Sequence, residues 1–443
     1  MKIQLSDHFS YAKLLRFVLP SVVMMIFSSI YSVVDGLFVS NFVGKTPFAA
    51  LNLIMPVLMI FGTLGFMIGT GGSAIVAKTL GEGEREKANQ YFSMMVYLAV
   101  IGGVILSVLG FIFLRPIAAL LGAEGAMQDD CVLYGRILLI SMTAFILQNV
   151  FQSFLVTAEK PQMGLLITVG AGVTNIALDF LLVAVLRWGL AGAAIATAVS
   201  QSVGGLVPVV YFLRKNDSLL QLTRTGLDMR VLGKACTNGS SELMSNLSTS
   251  LVSILYNFQL MRMAGENGVA AYGVIMYVDF IFIAIFLGYS IGSAPIIGYH
   301  YGAANVDELK NLFRKSLILI GVSGVVLTIL AKMLAAPLAT IFVSYDRELF
   351  DMTCHAFQLY SLSFLFAGFN IFGSAFFTAL NNGVVSAVIS FLRTLVFQMA
   401  AVLILPIFLE VDGIWLAIVA AELMALVVTA GFLVKMKERY HYM

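Results

Sequence analysis

Residues 91–114 read YFSMMVYLAVIGGVILSVLGFIFL, a run that contains no charged side chain. About 20 consecutive apolar residues are what a helix needs to cross a hydrocarbon layer about 30 Å thick. Similar runs recur along the 443-residue chain, which is 60% hydrophobic and only 11% charged. In lipid, backbone polar groups are satisfied only in helices or closed barrels, and these runs are too long for barrel strands. The sequence therefore predicts an all-α membrane protein.

Apolar windows bounded by charges, Gly and Pro predict twelve transmembrane helices. The first six lie near residues 14–38, 51–76, 91–114, 132–157, 162–184 and 190–213. The second six lie near residues 236–261, 270–297, 316–338, 355–380, 384–408 and 413–434. The first window is too long for the core of a signal peptide and is kept as helix 1. We therefore predict an N-lobe at 1–213, a cytoplasmic linker at 214–235 and a C-lobe at 236–443.

The Lys and Arg residues are distributed unevenly between the two sides of the predicted helices. If the N-terminus is cytoplasmic, most of these cations lie in the inner loops and few lie in the outer loops. The positive-inside rule requires this distribution. We therefore expect a multi-pass protein of the cell (inner or plasma) membrane with both termini in the cytoplasm. We expect the lipid bilayer as its surroundings, no nucleic-acid partner, and a monomer.

The two halves of the sequence align without a gap at one constant offset of 221 positions. Residues 49–55 (AALNLIM) align with residues 270–276 (AAYGVIM), and Asn149 aligns with Asn370. The same offset holds from helix 2 to helix 12, which indicates a duplicated unit. Each half has an even number of spans, so both copies enter the membrane in the same direction. Parallel repeats of this kind place a substrate path between two six-helix bundles, as a secondary transporter with alternating access requires.

Two carboxylates are predicted at membrane depth in the first half. Asp35 lies near the outer end of helix 1 and Asp179 near the outer end of helix 5. Tyr31 and Asn175 lie one turn before these acids on the same helix faces. Two acids in a poorly hydrated pocket exchange protons readily, because burial and mutual repulsion disfavour two charges. We predict that these four residues bind the coupling ion, a proton or alternatively sodium. In the other interpretation, the acids lie at the outer interface or cap helix ends.

Further polar and flexible side chains are candidates for the lining of a substrate cavity. Ionisable groups inside membranes are usually functional, and Met and aromatic side chains form adaptable sites that also hold cations. The simpler alternatives are interhelical hydrogen bonding for the amides and ordinary packing for the apolar side chains. The candidates are Gln148, Asn149, Gln152, Gln201, Met55, Tyr256, Met276, Asp279 and Asn370.

Two charges of the second half are predicted to form a structural ion pair. Arg393 in helix 11 and Glu422 in helix 12 both fall near the midplane, where a lone charge is costly. The four His and three Cys residues show no metal-ligand spacing, so we expect no metal site. No enzyme motif is present either. We therefore expect no catalytic residue and no cofactor besides the coupling ion.

Several stretches together resemble the multidrug and toxic compound extrusion (MATE) family, in its DinF-like branch. They are residues 34–39 (VDGLFV), 49–52 (AALN) with Pro56, 175–179 (NIALD) and 288–303 (GYSIGSAPIIGYHYGA). The resemblance spans essentially the whole chain and implies a V-shaped pair of six-helix lobes. It also implies an ion-driven exporter of cationic, amphipathic drugs. In that branch the N-lobe carboxylates, here Asp35 and Asp179, take the coupling ion, and helix 1 bends, here at Pro20.

Three kinds of function remain open at this stage. The first is a secondary active antiporter that exports organic cations or toxic compounds in exchange for protons or sodium and so confers drug resistance. The second is a lipid-linked oligosaccharide flippase of the same superfamily, or an exporter of one specific metabolite. The third is a membrane scaffold or receptor that transports nothing. We expect the first, because few cavity cations are available to hold a pyrophosphate and because a receptor needs no intramembrane carboxylates.

Overall fold

The computed structural model of the protein describes residues 3–43, 45–344 and 346–443. Residues 1, 2, 44 and 345, which the sequence analysis assigns to the two lobes, lie outside the described residues. Within the described ranges the chain forms helices and no β-strand, and the predicted all-α fold is confirmed. Every long helix satisfies its own backbone groups internally, which is the condition for crossing lipid.

Six helical segments form the N-lobe. They are α1 (Tyr11–Phe42), α2 (Lys45–Gly81), α3 (Arg85–Leu120), α4 (Gly125–Thr157), α5 (Pro161–Asp179, continued by a π-helical segment at Phe180–Val185) and α6 (Gly189–Leu213). Each of the six contains a segment that is long and apolar enough to cross a membrane. Most extend past the predicted windows, because helical hydrogen bonding continues beyond the hydrocarbon layer into polar sequence.

The second half contains four further apolar helical runs, two of which hold two spans each. Met229–Gly302 is interrupted at Gly265, where φ is 63°, and Gly383–Tyr440 is interrupted at Glu410, where φ is 52°. We therefore name α7 (229–264), α8 (266–302), α9 (Val306–Val343), α10 (Arg347–Ala379, with a 3-10 turn at Ser361–Ser363), α11 (383–409, with a π-helical segment at Leu392–Val396) and α12 (411–440). The described residues thus contain 10 apolar runs that provide the twelve predicted spans.

The connection between the lobes is shorter than the predicted linker. It occupies residues 214–228, and α7 begins at Met229. The Asp228 side chain accepts hydrogen bonds from the backbone N–H groups of Arg230 and Val231. This N-cap satisfies donors that have no partner inside the helix and therefore places the start of α7 ahead of its apolar part.

Each lobe has its own apolar core. Each core also contains a few residues from the other lobe, from the segment before its first helix or from the start of that helix. The C-lobe core contains Leu5, Phe9 and Leu14 from the start of the chain. The N-lobe core contains Leu220 of the linker and Ala235 of α7. The lobes therefore exchange short segments where they meet.

Two glycines related by the repeat bring the lobes together. A Cβ atom on Gly81 would lie 2.0 Å from the carbonyl oxygen of Tyr299, and one on Gly302 would lie 2.0 Å from that of Lys78. The absence of a side chain thus allows α2 and α8 to pack backbone against backbone. We call this side of the molecule the basic end, after the cations that it carries: Lys13, Lys78, Arg85, Lys160 and Lys315.

Candidate functional site

The structure brings the four predicted ion-coupling residues of the N-lobe together. The Asp35 carboxyl group on α1 lies within hydrogen-bonding reach of Asp179 and Asn175 on α5. Asp179 is 0% exposed and Asn175 is 2% exposed. Tyr31 lies one turn before Asp35 on the same helix. Two carboxyl groups are therefore held at the junction of α1 and α5, with Asp179 buried and Asp35 half-buried.

Several polar atoms of this N-lobe cluster have no hydrogen-bond partner. Among the described residues, these atoms include Asp35 Oδ1, both carboxyl oxygens of Asp179 and Asn175 Nδ2. Buried polar groups in proteins are normally paired. Two facing carboxylates satisfy one another only when one holds a proton, because a carboxylate has no hydrogen to donate. The arrangement is chemically suited to bind a proton or a small cation.

The backbone at Asp179 departs from a regular α-helix. The π-helical segment Phe180–Val185 follows Asp179 directly. Single π-helical turns inside α-helices occur frequently at functional sites. The change of helical period turns the side chains after Asp179 relative to those before it. Asp179 is therefore the last residue of the regular α-helix on the face of α5 that carries Asn175.

A polar track continues from the acids into the N-lobe. Tyr31 lies within hydrogen-bonding reach of Gln148 on α4. Gln148 and Gln152 line a small, partly open pocket together with Met24 and Thr168. The Gln152 Oε1 atom in this region is buried and has no partner among the described residues. Two of the predicted cavity amides therefore adjoin the ion-coupling cluster.

Two residues near the acids were missed by sequence reasoning. Tyr134 on α4 is 0% exposed and lies near both Asp35 and Asp179, and Thr197 on α6 lies within hydrogen-bonding reach of its hydroxyl. The Tyr134 hydroxyl also lies 3.9 Å from the sulfur of Met55, a predicted candidate. A search for hydroxyl groups at the depth of the two acids would have found both residues.

The other two predicted N-lobe amides join helices to one another. Asn149 Nδ2 on α4 donates to the carbonyl oxygen of Gly62 on α2 at 3.4 Å. Gln201 Oε1 on α6 accepts from the Ser141 hydroxyl on α4 at 2.8 Å. Both amides make the interhelical hydrogen bonds that the sequence analysis gives as the alternative to a cavity role.

Arg393 and Glu422 form an ion pair in the C-lobe. Arg393 Nε lies 2.8 and 2.9 Å from the two carboxylate oxygens of Glu422, and Nη2 lies 2.8 Å from Oε1. Asn370 Nδ2 donates to Glu422 Oε2 at 2.7 Å, and Thr429 donates to Asn370 Oδ1 at 3.0 Å. Glu422 thus receives donors from two helices other than its own.

The remaining candidates lie in the C-lobe, around Asp279. The half-buried Asp279 on α8 lies within hydrogen-bonding reach of the Tyr360 hydroxyl. Tyr256 stacks on Tyr272 with ring centroids 5.1 Å apart, and its buried hydroxyl has no partner among the described residues. Met276 is half-buried against the C-lobe core. The predicted cavity candidates are therefore divided between two lobes.

Metal coordination has no support from the described part of the chain. There, no group of three or more His, Cys, Asp or Glu side chains is placed to hold a metal ion. The carboxyl groups of the N-lobe cluster number two, Asp35 and Asp179. The cluster therefore suits a proton or a singly charged cation better than a transition metal, which requires more ligands.

Curated relatives share most of the length of this chain. The multidrug export protein MepA of Staphylococcus saprophyticus is 23% identical over 421 residues, which are 93% of this chain and 91% of the relative. MepA of Staphylococcus aureus (strain MSSA476) is 23% identical over 419 residues, with the same coverage. MepA of Staphylococcus haemolyticus is 25% identical over 313 residues, which are 70% of this chain and 68% of the relative.

Solved structures share the fold. An outward-facing multidrug resistance MATE transporter of the MOP superfamily superposes with a TM-score of 0.91 at 24% identity, covering 97% of this chain and 98% of the other. A MOP superfamily transporter from Pyrococcus furiosus superposes with a TM-score of 0.90 at 23% identity, covering 98% and 97%. The family model described as MatE matches this chain twice, at residues 20–181 and 243–404, once in each predicted lobe. The chain belongs to the MatE family, the MATE transporters, and is a transporter rather than an enzyme.

Proposed function

We propose that the protein is a secondary active antiporter that exports cationic or amphipathic organic compounds in exchange for protons. Relatives that match it over most of their length are named multidrug export proteins, which supports export of many compounds rather than one. The observation that carries the proposal is the pair Asp35 and Asp179, which lie within hydrogen-bonding reach of one another and have buried oxygens without partners among the described residues. Carboxyl groups of this kind inside membranes are typical of proton relays in transporters.

A proton suits this pocket better than sodium does. One shared proton turns a carboxylic acid into a donor and satisfies both Asp35 and Asp179. Hard metal cations need several oxygen ligands. Among the described residues, the unpartnered oxygens of the two acids number three, and the unpartnered atom of Asn175 is its amide nitrogen, which does not ligate a cation. Sodium coupling remains the alternative, and the DinF-like assignment stays a prediction.

We further propose that the basic end faces the cytoplasm of a cell (inner or plasma) membrane. The positive-inside rule favours this orientation, which also places both termini in the cytoplasm. The close contact of Gly81 and Gly302 with the opposite lobe then closes the protein toward the cytoplasm. Asp35 and Asp179 lie toward the outside, where protons are taken up. The monomeric state stays a prediction.

Alternating access then follows from the charge of the N-lobe pocket. With Asp35 and Asp179 both ionised, two negative charges share a region of low dielectric constant, which is unfavourable and draws in a cation. A bound proton removes one charge and allows α1 to approach α5. Pro20 lacks a backbone N–H inside α1 and so provides a position at which this helix can bend.

The C-lobe offers a second region for the cargo. Asp279 is the half-buried acid there; it lies within hydrogen-bonding reach of the Tyr360 hydroxyl, and Tyr256 and Tyr272 lie near it. A carboxylate beside aromatic faces attracts organic cations. We therefore propose that Asp279 contacts the cationic group of the cargo, while Gln148 and Gln152 line the N-lobe side of the path.

The flippase alternative has less support. A pyrophosphate needs cations in the central cavity that have no other partner. Arg393 is already paired with both carboxylate oxygens of Glu422. A second cation within a predicted span, Arg136, is exposed on α4. Neither side chain is positioned as part of a cationic pocket.

The test is transport of ethidium by the purified protein in liposomes under separate proton and sodium gradients. We expect a proton gradient to drive transport, and Asp35→Asn or Asp179→Asn to abolish it without loss of folded protein. Glu266→Gln serves as the control, because Glu266 is an exposed acid next to the kink at Gly265. Normal transport in both Asp variants would exclude this coupling site. Transport driven by the sodium gradient alone would show that sodium, and not the proton, is the coupling ion.

A further inference from the structure

The segment before α1, residues 3–10, is packed against the protein; we call it the strap. Leu5 and Phe9 are both 0% exposed. The Phe9 ring contacts Phe17 of α1 edge-on, with centroids 6.1 Å apart, and His300 of α8, with centroids 6.4 Å apart. Segments at the edge of a domain are usually poorly ordered unless such contacts hold them. The strap is therefore an attached part of the basic end.

The strap is bound by a row of side chains on α9 of the C-lobe. Glu308 Oε1 accepts from the Phe9 backbone N–H at 2.9 Å, and Glu308 Oε2 lies 2.5 Å from His8 Nδ1. Asn311 Nδ2 and Lys315 Nζ donate to the Phe9 carbonyl oxygen at 3.0 and 2.6 Å. These contacts involve charged groups, and Glu308 is 5% exposed, so they are strong and weakly screened.

The strap is also attached to the N-lobe on both sides of Phe9. The Leu5 backbone N–H donates to Glu159 Oε1, in the turn between α4 and α5, at 2.8 Å. After Phe9 the chain enters α1 at Tyr11. Phe9 is therefore a C-lobe contact held between two N-lobe attachments.

This arrangement limits how far the lobes can part while the contact survives. Phe9 precedes Tyr11 by two residues, and each residue spans at most about 3.3–3.6 Å. Phe9 can therefore lie no more than about 7 Å from the start of α1, and its further movement with the C-lobe is smaller than this. We propose that the strap is a detachable latch that holds the basic end closed, and that its contacts with Glu308, Asn311 and Lys315 must break before this end opens. The proposal goes beyond the ion-coupling site and rests on alternating access alone.

The repeat supplies a counterpart to the strap. The linker at 214–228 precedes α7 as the strap precedes α1, and it too lies on the opposite lobe's bundle. The Gln221 and Thr223 backbone N–H groups donate to Asn89 Oδ1 and Ser93 Oγ on α3 at 3.0 and 2.8 Å. A helix holds the linker at each end, and α6 anchors it to the N-lobe. Both segments are therefore held through hydrogen bonds between their backbone groups and polar side chains of a helix.

The test measures opening of the basic end by cysteine labelling of the purified protein in detergent. The background has Cys131, Cys236 and Cys354 replaced by Ser. The reporter is Ala77→Cys, because Ala77 is 0% exposed and its Cβ faces Gly298 of the other lobe. We expect a maleimide to label it several-fold faster when Glu308→Ala or Phe9→Ala is added. The readout needs neither substrate nor ion gradient, so its failure is distinct from failure of the proposed transport.

Two matched controls accompany this measurement. Ser6→Ala changes an exposed strap residue and is expected to leave labelling unchanged. Ala88→Cys places a reporter in the N-lobe core, 0% exposed, and should stay unlabelled in every variant. Should Glu308→Ala fail to fold, His8→Ala is the substitute. It removes only the contact between His8 and Glu308, the His8 side chain is 74% exposed, and the increase in the labelling rate should be smaller. Unchanged labelling at position 77, or an equal increase at position 88, would overturn the latch.

Discussion

The N-lobe and the C-lobe are copies of one helical bundle, yet the buried polar groups at their centres are satisfied to different degrees. In the N-lobe, Asp35 and Asp179 leave buried oxygens without donors among the described residues. In the C-lobe, Glu422 is paired with Arg393 and also accepts from Asn370. Unsatisfied buried groups cost free energy. We infer that the N-lobe centre is suited to exchange a ligand, whereas the C-lobe centre holds helices together.

Aligning the two halves shows which residues cause this difference between the lobe centres. One offset aligns Asp35 with Tyr256 and Arg393 with Gly172. No charge of either centre is kept in the other lobe at these positions. The backbone of a duplicated bundle therefore sets where a polar centre can lie. Single side chains decide whether that centre binds a ligand or holds the helices together.

The largest effect is expected from breaking the C-lobe ion pair. Arg393→Leu leaves Glu422 as a buried charge without its cation, which should cost about 3–5 kcal/mol. The measurement is the thermal unfolding midpoint and the yield in detergent. The double variant Arg393→Leu with Glu422→Gln should recover most of this loss, because Gln keeps an acceptor for Asn370 and carries no charge. A double variant as unstable as the single one would contradict the assignment.

The N-lobe acid should behave in the opposite way. Asp179→Asn removes a carboxyl group whose two buried oxygens have no partner among the described residues. We therefore expect the free energy of unfolding to stay the same or to rise by up to about 1–3 kcal/mol. Ion-coupled transport should nevertheless be lost. Thermal unfolding and liposome transport of the same preparation measure both effects. Destabilisation as large as that of Arg393→Leu would show that the acids support the N-lobe instead.

A smaller effect is expected at the edge of the N-lobe cluster. Tyr31→Phe removes the hydroxyl that reaches Gln148, a loss of about 1 kcal/mol that slows transport roughly fivefold. Tyr97→Phe is the matched control, because Tyr97 on α3 is 45% exposed. Equal rates for both variants would remove Tyr31 from the ion-coupling site.

The smallest effect is expected at the C-lobe position that corresponds to Asp35. Tyr256→Phe removes a buried hydroxyl without a partner among the described residues and keeps the stack on Tyr272, so stability should change by less than about 0.5 kcal/mol. Thermal unfolding and transport rate measure the outcome. A loss of transport similar to that of Asp35→Asn would mean that both lobes use this position for coupling.

Most of the fold was predictable because lipid allows few alternatives. The apolar runs, the offset between the halves and the absence of barrel-like alternation were sufficient for twelve helices in two lobes. The ends of the helices were less predictable. The start of α7 at Met229 depends on the Asp228 cap, a polar signal outside the apolar window.

The candidate site was predictable only where charge made it conspicuous. Asp35 and Asp179 were found from their depth, whereas Tyr134 and Thr197 were missed, because uncharged hydroxyl groups are common in membrane helices. The strap was missed for a related reason. Residues 3–10 form a short, largely polar segment. Nothing in its sequence indicates that Glu308, far along the chain, accepts a hydrogen bond from the backbone N–H of Phe9.

The sequence by itself determined the membrane class, the number of spans, the duplication and the two acids of the N-lobe, because the low polarity of lipid imposes a strict pattern on any chain that crosses it. Only the tertiary structure decided which polar groups are satisfied, how Gly81 and Gly302 let the lobes meet, and where the strap attaches. Hydrogen bonds and backbone contacts of these kinds act over a few ångströms between residues distant in the chain. They depend on the packed arrangement of the helices rather than on any local pattern.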